Sequence, residues 1–174
     1  LEAAARFDVV VLGPGLGPGQ EKFVEAVVDG VDGDLLVDAD ALNALDVDSV
    51  AGRSAPTILT PHSGEFRRLA GEGPSLRSIS TLAAESSSVV LVKGPTTLVF
   101  GSERWAVAAA GPELATVGTG DVLAGAVAAL WARGLDAETA ARSGAYWHGV
   151  AGRDLASSRT VTADALATYM GRFL

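Results

Sequence analysis

The chain has 174 residues, a formal net charge of −8 at pH 7, an apolar share of 48%, 21 glycines and no cysteine. That length and apolar content suit one domain over residues 1–174 with a buried core and exclude a disordered chain. The acidic balance, with no basic cluster larger than Arg67-Arg68, argues against a nucleic-acid partner, and the lack of cysteine excludes disulfide and thiolate chemistry.

Residues 7–12 form a β-branched apolar run that predicts a buried strand. It enters a loop, 13–19, stiffened by Pro14 and Pro18 and opened by four glycines; residues 20–29 then predict a helix with Phe23, Ala26 and Val27 on one face. A second strand is expected over 35–38, followed by a short helix over 39–45. A third spans 57–59 and is stopped by Thr60-Pro61. Helices follow over 65–70 and 75–87, and a fourth strand covers 89–93. Residues 98–100 and 104–107 predict a hairpin across Gly101-Ser102-Glu103. The rest predicts helices over 121–133, 137–158 and 162–172, with Gly134 ending the first and Thr162 capping the last.

Short apolar strands alternating with helices give an α/β fold with a mostly parallel sheet covered on both faces. The polar and glycine-rich segments 13–19, 38–43, 60–65 and 93–97 all follow strands. In an open α/β sheet those carboxyl ends share one edge, where ligands bind. No apolar run approaches the length of a membrane span, and the first residues lack the charge-then-apolar order of a signal peptide. A cytoplasmic protein without membrane contact is expected.

The stretch from Ala115 to Gly125 carries the most chemistry. Gly118, Thr119 and Gly120 lead through Asp121 into an apolar helix, which makes a helix start able to hold an anion. A carboxylate there reads either as a helix cap or as a base that takes a proton from a hydroxyl while amides steady a transferring phosphoryl. The 13–19 loop follows a strand as a dinucleotide-binding loop does, but Pro18 stands where the third glycine belongs, and no G-x-x-x-x-G-K-[ST] loop exists. Either a closely approaching ligand or a structural turn explains it. In Asp38-Ala39-Asp40-Ala41-Leu42-Asn43, Asp40 could be an N-cap. His62 and Glu65 lie three residues apart at a strand end, as possible metal ligands or structural groups; a zinc motif is absent. Lys93, before Gly94-Pro95-Thr96-Thr97, suits phosphate as a mobile point charge or is an ordinary surface lysine. Tyr146-Trp147-His148-Gly149 reads as helix packing.

Taken together, Gly13-Pro14-Gly15-Leu16-Gly17, Asp38 to Asn43, Thr60-Pro61-His62-x-Gly64-Glu65, Lys93-Gly94, Ala115-Thr116-x-Gly118-Thr119-Gly120-Asp121-Val122-Leu123-Ala124-Gly125 and His148-Gly149-x-Ala151-Gly152 resemble the ADP/ATP-dependent NAD(P)H-hydrate dehydratases of the ribokinase-like superfamily. The resemblance spans nearly the whole chain. It implies a ribokinase-like fold and repair of hydrated NADH or NADPH: the nucleotide phosphorylates the ring hydroxyl, and phosphate then leaves, pushed by the ring nitrogen. By resemblance, Asp121 is the catalytic base and touches substrate; Lys93, Gly94, Pro95, Thr96, Thr97, Gly118, Thr119 and Gly120 bind ADP or ATP. Gly15, Gly17, His62, Glu65 and Arg68 hold the damaged dinucleotide, and Glu65 lies near Mg²⁺ without ligating it directly. A homo-oligomer, a tetramer by resemblance, is implied.

Two departures stand out. Val117 and Glu113 occupy places where smaller or more neutral residues are expected, and the family carries further strands and helices before the Gly-Pro-Gly-Leu-Gly strand. An N-terminally truncated form of the domain is therefore expected. Two other readings compete: a kinase of the same superfamily acting on a vitamin precursor or sugar, and a nucleotide-binding fragment without turnover.

Overall fold

The computed structural model describes residues 4–173. Its core is a six-stranded sheet in which spatial order follows chain order: β1 (Val9–Leu12), β2 (Asp34–Val37), β3 (Thr57–Leu59), β4 (Val89–Val92), β5 (Thr97–Phe100) and β6 (Arg104–Val107). The first four strands run parallel, and the β5–β6 hairpin closes the sheet antiparallel. Along each parallel strand alternate residues face opposite layers, as the pleat requires. Leu35, Val37, Leu59, Val90 and Val92 share one cluster; Leu36, Ile58 and Leu91 share another.

The first layer holds α1 (Glu21–Gly30), α2 (Ala39–Ala44), α3 (Val47–Ala51), α4 (Ser63–Ala70) and α5 (Leu76–Glu85), which seat Val24, Val28, Leu42, Val50, Phe66, Ile79 and Leu82 against the sheet. The second layer is α6 (Thr119–Ala132) and α7 (Ala137–Ala156), through Leu123, Val127, Trp131, Ala141 and Ala145. Small residues let these two helices approach closely: a Cβ added at Gly144 would stand 2.6 Å from a Val127 methyl. α8 (Ala163–Met170) adds a third cluster through Leu166 and Met170, capped as expected by Thr162, whose hydroxyl accepts from the Ala165 amide.

Several boundaries move for physical reasons. The first strand begins at Val9, leaving Phe7 exposed. Asp38 falls outside β2, because the chain turns out of the strand through Ala39 at a left-handed φ of 50°. Helix α3 escaped the sequence reading; it is a five-residue turn started by Asp46, whose carboxylate accepts from the Asp48 amide. Gly134, at φ 97°, breaks the chain after α6 as expected.

Candidate active site

Four consecutive strand ends lie side by side at the carboxyl edge of the parallel strands. The Asp38 amide donates to Leu12 O, the Thr60 amide to Val37 O and the Lys93 amide to Pro61 O, so the ladder runs one step past each strand. His62 and Lys93 form an isolated parallel bridge there. Gly13 closes this edge: a Cβ at its position would stand 1.7 Å from Asp38 O, and its φ of 123° suits glycine alone.

This edge assembles a charged cluster. The Lys93 ammonium donates to Asp38 Oδ1 at 2.6 Å and lies 3.9 Å from Glu65 Oε2. Asp38 is 1% exposed, and its Oδ2 is buried with no hydrogen-bond partner among the described residues. Lys93 is therefore an anchored ammonium rather than a mobile surface charge. His62 is the N-cap of α4: its Nδ1 accepts from the amides of Gly64 and Glu65, and its own amide donates to Glu65 Oε2 at 2.7 Å. That reciprocal pattern is a capping box built with an imidazole. Accepting through Nδ1 leaves the proton of a neutral ring on Nε2, which stands 3.4 Å from Glu65 Oε1 and is half exposed.

The start of α6 meets the cluster. A Cβ on Gly120 would lie 3.7 Å from Lys93 Nζ. Gly118 is the N-cap in the left-handed region, at φ 86°, packed against the Ala163 methyl of α8. Thr119 turns inward: its hydroxyl reaches Leu114 O and Thr116 O at 2.6 and 2.7 Å, and its amide donates to Thr116 O. The next two amides, of Gly120 and Asp121, have no acceptor among the described residues and point out of the helix start. Asp121 is exposed and its carboxylate makes no hydrogen bond among the described residues, so it does not cap the helix.

A cavity of about 510 Å³ opens on the other side of Lys93. Lys93, Gly94, Pro95 and Thr97 line it from the β4–β5 connection; Thr119, Gly120 and Leu123 line it from α6. The turn around Pro112 supplies mainly apolar walls, and His148 of α7 closes the floor. His148 is buried, and its Nε2 lies 2.9 Å from Thr119 O. Burial holds this imidazole below its ordinary pKa, with the Thr119 carbonyl opposing that shift. The sequence reading gave this histidine to helix packing; it also braces the turn that carries the free amides.

The structure thus brings together most of the expected site residues: Asp38's neighbours His62, Glu65 and Lys93, the 94–97 segment, and Gly118 to Asp121. Arg68 stands apart, with its Nε donating to Asn43 Oδ1 at 2.7 Å and tying α4 to α2. Gly15 and Gly17 adopt φ of 70° and 78° with open space at their Cβ positions. Gly17 is held by its amide, which donates to Asp40 Oδ2 at 2.9 Å. Asp40 is therefore a loop clasp rather than the N-cap of α2; that position belongs to Asp38. Val117 is 96% exposed and stays out of the cavity wall. Among the described residues no group of three His, Cys, Asp or Glu side chains converges on a metal position, and no helix is long and apolar enough to cross a membrane.

Comparison with known proteins gives the family and the fold. The sequence matches the NAD(P)H-hydrate dehydratase family over residues 1–172. A bifunctional NAD(P)H-hydrate repair enzyme of Salinibacter ruber is 46% identical over 161 residues, covering 86% of this chain and 30% of that protein. The Mycobacterium tuberculosis enzyme of the same name is 44% identical over 148 residues, covering 80% and 31%. The chain therefore spans about a third of the length of these curated relatives. The structure of the ADP/ATP-dependent NAD(P)H-hydrate dehydratase of Bacillus subtilis, co-crystallised with ATP and Mg²⁺, superposes with a TM-score of 0.84 at 26% identity, over 98% of this chain and 67% of that one. The fold is ribokinase-like.

Proposed function

The chain belongs to the NAD(P)H-hydrate dehydratase family, and on that premise we propose that it dehydrates hydrated NADH or NADPH back to the reduced dinucleotide at the expense of ADP or ATP. The observation that carries this reading is the α6 start: two unengaged amides and an exposed, unbonded Asp121 stand at a helix start whose Gly120 lies beside the Lys93 ammonium and lines an apolar cavity with it.

In this reading the cavity takes the nucleoside, lined by Gly94, Pro95 and Thr97, with Thr96 exposed beside them and Gly118 shaping the turn. The terminal phosphoryl lies against the Gly120 and Asp121 amides and Lys93. Asp121 accepts the proton of the substrate's ring hydroxyl as that oxygen attacks phosphorus; the bond to the bridging oxygen breaks and frees the shortened nucleotide. The amides and ammonium offset charge on the transferring phosphoryl. The ring nitrogen then expels inorganic phosphate, and loss of a proton from the adjacent ring carbon restores the double bond. His62, whose side chain is half exposed, and the glycine loop at Gly15 and Gly17 hold the dinucleotide, with Glu65 fixing His62 and Arg68 lying farther along α4.

Asp38, Glu65 and Asp121 outnumber the one lysine here, so a polyphosphate enters more easily with a divalent cation. Bound Mg²⁺ would neutralise charge across the nucleotide phosphates. The donor set fits an ion that arrives with the nucleotide rather than one in a protein cage: Glu65 faces inward and would reach it through water. Residues 1–174 are read as part of one dehydratase domain of a cytoplasmic homo-oligomer, a tetramer by family resemblance. The exposure of Phe7, Val11 and Phe23 supports contact with further polypeptide.

The test is to incubate the chain with hydrated NADH, Mg²⁺ and ADP or ATP and follow the return of reduced-nicotinamide absorbance together with phosphate release. Nucleotide-dependent recovery supports the reading. Nucleotide consumption on a vitamin precursor or sugar, without recovery from the hydrate, would replace it with a kinase; nucleotide binding without turnover would leave a binding fragment.

A further inference from the structure

We propose that Asp38 is the positioning residue of the phosphate site: its buried carboxylate holds the Lys93 ammonium at the mouth of α6. The inference rests on the reading of Lys93 as a phosphate-binding group and adds a residue to it.

Three observations converge on Asp38. It is 1% exposed, so it reaches no ligand itself. Its place is fixed from every side: its amide donates to Leu12 O at 2.9 Å, its carbonyl is crowded by Gly13, and the chain leaves it through Ala39 at φ 50°. Left-handed backbone costs a non-glycine residue free energy, which the surrounding contacts offset here. Among the described residues the carboxylate also has one partner, Lys93 Nζ at 2.6 Å on Oδ1, while Oδ2 is orphaned. Separating the pair would leave a buried carboxylate with no compensation, which is strongly unfavourable. The ammonium therefore stays where Asp38 puts it, 3.7 Å from the position of a Gly120 Cβ, with its remaining N–H bonds free for a phosphoryl oxygen. Glu65, at 3.9 Å, adds attraction without a hydrogen bond and cannot substitute for it.

Simple charge counting predicts the opposite outcome from positioning. Deleting a negative charge near a polyphosphate should tighten binding, whereas releasing the ammonium should weaken it. Calorimetric titration with ADP and Mg²⁺ on the whole chain separates the two. Lys93→Met should weaken nucleotide binding. Asp38→Asn should weaken it by about tenfold or more, the scale of one charge-assisted hydrogen bond. In the double variant the Asp38→Asn change should add nothing. Asp38→Glu keeps the charge and moves it by a methylene; it should also weaken binding, and it serves if Asp38→Asn does not fold. Thermal melts check folding, and the double variant should melt above Lys93→Met because it no longer buries an unpaired carboxylate.

Unchanged or tighter binding in Asp38→Asn, with loss in Lys93→Met, overturns the inference and leaves the nucleotide site standing. Additive losses in the double variant overturn it too, since Asp38 would then act without Lys93. Unchanged binding in Lys93→Met removes the phosphate role of Lys93 and the inference with it.

Discussion

The two ends of one sheet treat their polar groups in opposite ways. At the amino end of the parallel strands, two long side chains spend their hydrogen bonds on clasping neighbouring elements. Arg53 donates through Nε to Thr57 Oγ1 and through its terminal nitrogens to the carbonyls of Val28, Val31 and Gly33, clasping α1 to β2 and β3. Glu138 accepts from the Ser102 amide and hydroxyl, the Glu103 amide and Trp105 Nε1, clasping α7 to the hairpin. Burial pushes the Glu138 carboxyl up, but these donors outweigh it and hold the group below its ordinary value. At the carboxyl end, among the described residues, Asp38 Oδ2 and Glu113 Oε1 are buried without hydrogen-bond partners and two amides of α6 are unengaged. Unengaged amides cost stability, and a fold keeps such donors where a ligand completes them.

The sharpest way to test this contrast is Asp121→Asn. The general base contributes on the order of 10²–10⁴-fold in rate. Single-turnover assays on hydrated NADH should show a loss of that size with ADP affinity retained, because the Gly120 and Asp121 amides remain. Near-normal turnover would remove Asp121 from the chemistry and leave the open end unexplained.

Gly13→Ala probes the same end through the backbone. Its new Cβ would meet Asp38 O at 1.7 Å in a φ region closed to alanine. We expect a loss of about 3 kcal/mol in urea unfolding, from strain and displaced backbone, accompanied by weaker ADP binding as Asp38 shifts. Gly15→Ala, with open space at its Cβ, should cost less.

Arg53→Met reverses the pattern. Removing a guanidinium that satisfies three carbonyls should cost about 2 kcal/mol of stability and leave the ADP dissociation constant unchanged. A change in nucleotide binding here would mean that the two ends are coupled and that the contrast is only descriptive.

Much of this was legible in the sequence, and the losses have physical causes. Periodicity and turn residues placed the six strands and the hairpin, because short apolar runs between glycines and prolines leave the chain few alternatives. The strand-end rule then collected Gly13, Asp38, His62 and Lys93 at one edge without any coordinates. The pairing of Asp38 with Lys93 was not legible: 55 residues separate them, and only strand order sets them face to face. Asp40 looked like an N-cap because Asp at a helix start usually is one, but the left-handed Ala39 shifts the cap to Asp38 and frees Asp40 for Gly17. His148 sat in a run of small residues typical of helix packing. Its second role depends on Thr119 O, which a sequence reader sees 29 residues away.

His148 gives the finest test, because it is a titratable group at the open end that is buried and hydrogen-bonded, in the manner of the far end. Burial favours its neutral ring, so its folded pKa lies below the ordinary value near 6.5. Above pH 6.5 both folded and unfolded chains carry it neutral and it adds no pH dependence. As pH falls below 6.5 the unfolded chain takes up the proton first, so stability declines across the window between 6.5 and the lower folded value, by about 1.4 kcal/mol for each unit of separation. His148→Gln can keep an N–H aimed at Thr119 O but cannot titrate. Unfolding free energies measured from pH 7 downward should therefore lose that slope, with stability at pH 7 little changed. If the slope persists in the variant, the proton goes elsewhere. If instead stability at pH 7 collapses, the ring's shape rather than its hydrogen bond supports the α6 turn, and the brace belongs with ordinary core packing.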